Sequence, residues 1–411
     1  MTETLASRPP EHARPAVPVR RIWLAAWPVT AVFVLSNAAT PLYVVWQRDL
    51  GFSGGTLTVV FAAYIAGLLA SLTVSGVVSD RLGRRPVLLP ALVLALVACG
   101  IFATAGSVAA LLAARLLTGV AVGATVSAGM AAVTDVAGPE RRRLAALLAS
   151  CAMVFGAGLG PLLSGVLSET LPGPTRTVFA VEAVLLATAV AVTLRMPLPR
   201  PAPRADAGRG GIGAWVRVPS VPKGSGGHLL LGIAVFAPGI TATSFVLSLG
   251  PSLLSGLLDT RSRVVAGLTA FVMFLAATGV QFAVRGLSRR AILAAGAAAT
   301  AAGTLLLVAA VAQGWAAALV GAAVLAGAGQ GLGQLGGLSL LNHAVPPRRL
   351  AEANAALNVG GYVPAGLLPV AAGYLGDAAG LATGAAVFGA VLAAAALAGG
   401  AVVAVRRGID A

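Results

Sequence analysis

The sequence predicts an all-α polytopic membrane protein of about twelve transmembrane helices, arranged as two parallel six-helix repeats. Three observations support this fold class. Only 10% of the 411 residues are charged and 58% are hydrophobic, with a mean hydropathy of +0.93. A water-soluble domain of this length needs a skin in which about a quarter of all residues are charged, and this chain would instead expose large apolar patches. The apolar runs are about twenty residues long and do not alternate, which suits helices crossing a bilayer and not barrel strands. Landmarks of the first half recur in the second at an offset of about 205 to 208 residues.

Taken in order, the first twenty residues are polar and carry Pro9, Pro10, Pro15 and Pro18. They lack the short apolar core and small-residue cleavage site of a signal peptide, so residues 1–21 are expected to be a cytoplasmic tail. Apolar runs then predict spans at about 22–46, 55–78, 87–106, 108–130, 144–168 and 177–197. Residues 198–227 are rich in Pro, Gly and Arg and are expected to be a flexible cytoplasmic linker. Trp215 and Val216 could let part of it rest on an anionic leaflet. Six further runs follow at about 228–254, 264–284, 291–312, 315–341, 352–374 and 381–405, leaving a short tail at 406–411. The expected bundles are therefore 22–197 and 228–405, with both termini on one side.

The basic residues agree with that sidedness. Of the 28 Lys and Arg residues, 23 fall in the segments expected to be cytoplasmic, four in the opposite loops, and Arg115 inside a span. Positive charge concentrates on the cytoplasmic side of membrane proteins, so a multi-pass cell-membrane protein with both termini inside is expected. The same clustering gives the net charge of +15 a lipid explanation and excludes a nucleic-acid partner. Trp23, Trp46 and Trp315 lie near the expected interfaces, where tryptophans anchor. Cys99 and Cys151 sit in apolar runs as small packing residues. His12, His228 and His343 are scattered, no nucleophile or paired-acid constellation lies in the spans, and no phosphate-binding loop is present. No enzyme activity, cofactor or metal is expected.

The internal repeat is carried by three motifs. Arg81-Leu82-Gly83-Arg84-Arg85 is echoed by Gly286-Leu287-Ser288-Arg289-Arg290, and Arg141-Arg142-Arg143-Leu144 by Arg348-Arg349-Leu350. Gly158, Pro161 and Gly165 are matched by Gly366, Pro369 and Gly373 at identical spacing. The stretch from Gly76 through Asp80, Arg81, Gly83, Arg84 and Arg85 resembles the signature loop between spans two and three of the major facilitator superfamily. Its chemistry suits the place: Gly76 allows close helix approach, Gly83 a tight reversal, Pro86 a helix start, and Asp80 a partner for an arginine or a helix N-terminus. The resemblance implies a conformational latch, where the plain alternative is a positive-inside turn. The second copy departs from the pattern, with Arg285 where Asp80 would align and Gln281 where Gly76 would.

Two more segments extend the resemblance. Arg115-Leu116-Leu117-Thr118-Gly119 is similar to the family's arginine–glycine motif in span four, which implies a role in proton coupling. The alternative is an arginine snorkelling to the outer interface. The run Gly156, Gly158, Gly160, Pro161, Ser164, Gly165 in span five resembles the motif of the drug and metabolite:proton antiporter branches; generic glycine packing is the alternative. Glu182 is the one acid well inside a span and a second proton-coupling candidate, or else an interface partner of Arg176. Many drug exporters of the family carry an acid on span one, where this chain has Asn37. Spans one, four, seven and ten line the family's cavity, so Asn37, Tyr43, Arg115, Gln330 and Gln334 are candidate substrate contacts, with Asn358 on the polar stripe of span eleven. Hydrogen bonding between helices is the alternative role for each. The resemblance implies a monomeric secondary transporter exporting a small organic molecule, drug or metabolite, by exchange for protons, and the mostly apolar residues expected to line the cavity suggest a neutral or amphiphilic one. A facilitator-type importer or uniporter and a non-transporting membrane sensor remain the alternatives.

Overall fold

The computed structural model describes residues 17–198, 219–256 and 262–406. The expected N-terminal tail up to residue 16, the linker residues 199–218, and residues 407–411 lie outside the described residues. Every regular element among the described residues is helical. Twelve helices are long and apolar enough to cross a membrane: Val19–Leu50, Gly54–Leu82, Arg85–Ala103, Val108–Ala137, Pro139–Thr170, Pro174–Arg195, Gly226–Gly256, Arg263–Ala283, Arg289–Gln313, Ala316–Ala344, Leu350–Ala379 and Leu381–Val405. These are spans one to twelve below, and they make the chain a multi-pass membrane protein. The clustered arginines at 84–85, 141–143, 289–290 and 348–349 lie in the connections or the first turns of spans at one end of the bundle, called the basic end.

Several helices outrun their apolar cores. Span four was expected to stop near 130 but continues through Thr134 and Asp135 to Ala137. Hydropathy marks the thickness of the hydrocarbon, whereas the helix stops where its backbone is turned. Gly138 (φ 72°) turns it there, and Gly83 (φ 100°) ends span two. Span one is interrupted by a 3-10 turn at Thr40–Leu42 around Pro41, and span four by a π-helical turn at Thr125–Gly129. Ser53, Ser107, Ser262 and Ser288 cap the first turns of spans two, four, eight and nine with their hydroxyls.

Lipid offers no hydrophobic drive for helices to associate, so close packing through small residues takes its place. The crossing of spans two and four shows this. A Cβ on Gly119 would lie 2.0 Å from the Tyr64 carbonyl oxygen, and one on Gly67 2.3 Å from that of Leu116. The same crossing recurs 208 residues later. A Cβ on Gly327 of span ten would lie 2.1 Å from the Met273 carbonyl oxygen of span eight. The repeat therefore extends to the backbone contacts inside each set of six helices.

Two of the expected interface tryptophans, Trp23 and Trp315, are exposed on the outside of the bundle. Trp46 is not. It is buried and stacked between Phe102, with ring centroids 5.7 Å apart, and Phe179, at 6.1 Å. These aromatics come from spans three and six, and their approach to span one is a tertiary event that local spacing does not show.

Candidate functional site

At the basic end, the loop between spans two and three forms a compact ionic cluster. The Arg84 guanidinium donates to Asp80 at 2.7 Å, to Asp135 of span four at 3.0 Å and to the Ser79 hydroxyl at 2.9 Å. Burial pulls the ionisation of Arg84 down, but its bonds to Asp80 and Asp135 outweigh this and hold it above its ordinary value. It is a fixed positive charge. Arg85 donates to the Leu194 and Met196 carbonyls at the end of span six, at 2.9 and 2.7 Å. Its counterpart Arg290 does the same to the Ala404 carbonyl at the end of span twelve. A cation satisfying the last carbonyls of a helix also opposes the negative end of its dipole. The degraded second copy thus keeps the arginine that caps a helix and loses the acid, Arg285 lying over the Phe282 ring instead.

Beside this cluster is a cavity of about 230 Å³. Thr73, Gly76 and Asp80 line it from span two, Arg84 from the loop that follows, Ser127 from span four, and Asn354 and Asn358 from span eleven. Of the sequence candidates, the structure brings Gly76, Asp80, Arg84 and Asn358 to this one space. The Asn354 side-chain oxygen is buried and has no hydrogen-bond partner.

Deeper in the bundle, Arg115 is fully buried and does not snorkel. Its Nη1 donates to the Ser36 carbonyl of span one at 2.7 Å, next to the 3-10 interruption. The guanidinium lies over three rings, Tyr64 at 4.8 Å, Phe61 at 5.0 Å and Tyr43 at 5.8 Å to centroid. Aromatic faces compensate a cation where water is excluded. Nε and Nη2 of Arg115 and the Tyr43 hydroxyl have no hydrogen-bond partner. Asn37 instead bonds the Ala157 carbonyl of span five at 3.3 Å, the helix-tying role open to it in sequence. Gln330 and Gln334 are half-buried on span ten, and the Gln330 side-chain oxygen lacks a partner. Glu182 is buried on span six, its Oε2 without a partner, and no ion pair among the described residues joins it to exposed Arg176.

The span-five motif presents glycine on two sides. A Cβ on Gly156 would meet the Thr30 carbonyl at 2.6 Å, and one on Gly160 the Val34 carbonyl at 2.0 Å, both on span one. On the other side, Gly158 faces Phe271, Gly165 the Arg263 carbonyl, and the Pro161 carbonyl is 2.3 Å from where Gly267 would carry a Cβ, all on span eight. Span five is thus wedged backbone to backbone between spans one and eight. Its repeat in span eleven packs similarly on span two, with Gly373 against Gly54 and Gly55.

Set beside known proteins, residues 22–290 match the family model of the Major Facilitator Superfamily. The chain belongs to the major facilitator superfamily. As a superfamily member it is a transporter of small molecules embedded in a membrane. Solved structures share its fold: a nucleoside transporter, NupG, with a TM-score of 0.67 at 13% identity, covering 92% of this chain and 99% of that one. A POT family transporter in complex with 5-aminolevulinic acid gives 0.71 at 12%, covering 92% and 94%. An auto-inhibited POT family peptide transporter gives 0.70 at 14%, covering 95% and 98%. Identities this low speak to the fold alone. No curated protein sequence matches the chain.

Sequence reasoning missed Asp135, Phe61 and Tyr64. Asp135 carried one available signal, an acid just before a glycine stop at the basic end of a span. The aromatic pair carried none, because only the crossing of spans two and four places them over Arg115.

Proposed function

We propose that this superfamily member is a proton-coupled exporter of a small organic molecule, drug or metabolite, working by alternating access as a monomer in the cell membrane. Residues 22–197 and 228–405 act as its two bundles, joined by the linker 198–227, with the basic end and both termini in the cytoplasm. The observation that supports the proton-exchange reading is the wedge of span five, and the export direction rests on the motif it resembles. The Gly156, Gly160, Pro161 and Gly165 run that resembles the antiporter motif is spent on backbone contact with spans one and eight. A transporter that exchanges protons needs such a tight seal, since a leak would dissipate the gradient. Arg115 and Glu182 are the coupling residues: each is a buried ionisable group with unpartnered polar atoms, and such groups inside a membrane mark ion pathways. The Asp80, Arg81, Arg84 and Arg85 loop, with Gly76 and Gly83, is the latch at the basic end. Asn37, Tyr43, Gln330, Gln334 and Asn358 contact substrate on its way to the cavity.

A facilitator is the second reading, favoured by Asn37, a neutral residue tied to the Ala157 carbonyl where an acid would serve proton exchange. Reconstitution in vesicles separates the two. With an inward proton gradient and a panel of hydrophobic drugs and metabolites, the exporter gives substrate-dependent change in lumenal pH. Glu182→Gln or Arg115→Ala abolishes it. Substrate flux without proton movement overturns the coupling and establishes the facilitator.

A further inference from the structure

Spans two and eleven, and spans five and eight, touch tightly at the end opposite the arginine clusters, while spans two, four and eleven part around the cavity at the basic end. At each of the two tight contacts a carboxylate reaches across. Asp377, in the last turn of span eleven, accepts from the Gly54 and Gly55 amides of span two at 2.9 and 2.8 Å, one oxygen to each. Glu169, in the last turn of span five, accepts from the Arg263 and Val264 amides of span eight, the latter at 3.3 Å. In both cases the acceptor caps the first two residues of the opposing helix. Helix N-termini leave these amides unsatisfied and carry partial positive charge.

Glu169 and Asp377 are also 208 residues apart, continuing the register of Gly158 with Gly366, Pro161 with Pro369 and Gly165 with Gly373. Glu169 follows Gly165, and Asp377 follows Gly373, by four residues, about one helical turn, so the glycine that admits the neighbouring backbone and the acid that caps it share a face. Two further bonds cross at this end: Arg263 donates to the Ser168 carbonyl at 2.6 Å, and Ser252 to the Gln47 side-chain oxygen at 2.9 Å.

We propose that Glu169 and Asp377 form a paired latch that holds this end of the transporter closed, and that both caps must break for it to open. The latch rests on the alternating-access reading above. It explains why two acids stand at the ends of spans five and eleven, where a glycine-lined crossing alone would pack as well.

Distance measurements between spin labels test it. Labels at Arg176→Cys and Gln313→Cys report the latched end, and labels at Glu140→Cys and Leu287→Cys the basic end, with Cys99→Ala and Cys151→Ser in the background. In lipid nanodiscs, Glu169→Ala and Asp377→Ala should each raise the longer-distance population at the latched end by about two- to fivefold, the worth of one charge at a helix terminus. The double variant should multiply the two effects, and Asp49→Ala, an exposed acid at the same end paired with Arg48, should do nothing. Glu169→Gln with Asp377→Asn repeats the test should the alanine pair misfold. A double variant with the wild-type distribution, or an Asp49→Ala variant that opens equally, overturns the latch. Expansion at the latched end without contraction at the basic end supports the latch and counts against alternating access.

Discussion

Gly119→Ala tests whether the crossing of spans two and four positions Arg115. The added Cβ would sit 2.0 Å from the Tyr64 oxygen and 2.8 Å from the Leu68 nitrogen, all backbone of another helix and unable to swing aside. Ordinary contact begins at 3.4 Å, so the crossing must open by about 1.4 Å along that line. Overpacking of this kind costs about 1–3 kcal/mol. The better helix propensity of alanine returns about 1 kcal/mol. Arg115 lies one turn before Gly119 on the same helix, and its 2.7 Å bond to the Ser36 carbonyl does not survive such a shift. Losing a charged hydrogen bond adds about 1.5–3 kcal/mol. The net expectation is a loss of roughly 1.5–5 kcal/mol, combining these terms. Thermal unfolding in lipid nanodiscs reads it against Gly100→Ala, an exposed glycine in the last turn of span three with nothing near its would-be Cβ. That variant should gain about 1 kcal/mol. A Gly119→Ala protein as stable as Gly100→Ala would refute the reasoning.

Gly327→Ala should destabilise by a similar amount in the same unfolding assay, since its Cβ meets the Met273 oxygen at 2.1 Å; a neutral result would separate the two repeats energetically. Asp135→Asn should cost no more than about 1 kcal/mol in that assay, because the pair with Arg84 is partly exposed and Asp80 remains. Glu182→Met should raise the melting temperature by replacing a buried acid, one oxygen of which lacks a partner, with an apolar side chain of similar size; a fall would reveal a partner that the acid gains in another state. Gly160→Val should fail to accumulate as folded protein by size-exclusion chromatography, its Cβ falling 2.0 Å from the Val34 carbonyl.

The number of spans and their order were legible because hydropathy over twenty residues is set by the bilayer and needs no tertiary contact. The repeat was legible for the same reason that it survives: Gly158, Pro161 and Gly165 and their copies answer to backbone approach, which tolerates few residue types. What stayed hidden was partner choice. Arg115 read equally as a coupling residue or a snorkel, and only the rings of Phe61 and Tyr64 on another helix decided against the interface. Trp46 read as an anchor because its stacking partners lie 56 and 133 residues away. Asn37 donates to the Ala157 carbonyl of a distant span, a contact that local spacing does not show.

The π-helical turn at Thr125–Gly129 has a geometric consequence for span four. An α-helix advances about 100° per residue, and a π-turn accommodates one residue more than the regular spiral would. Everything beyond it is therefore rotated by about that angle relative to an uninterrupted helix. Asp135 lies beyond the turn and Arg115 before it. The extra residue sets which compass direction the acid faces while leaving the arginine where it is. Deleting a single residue from 125–129 would restore the regular spiral and leave Asp135 facing Arg84, whereas forcing the intact sequence into a regular α-helix there would swing Asp135 about a quarter of the way round, away from it.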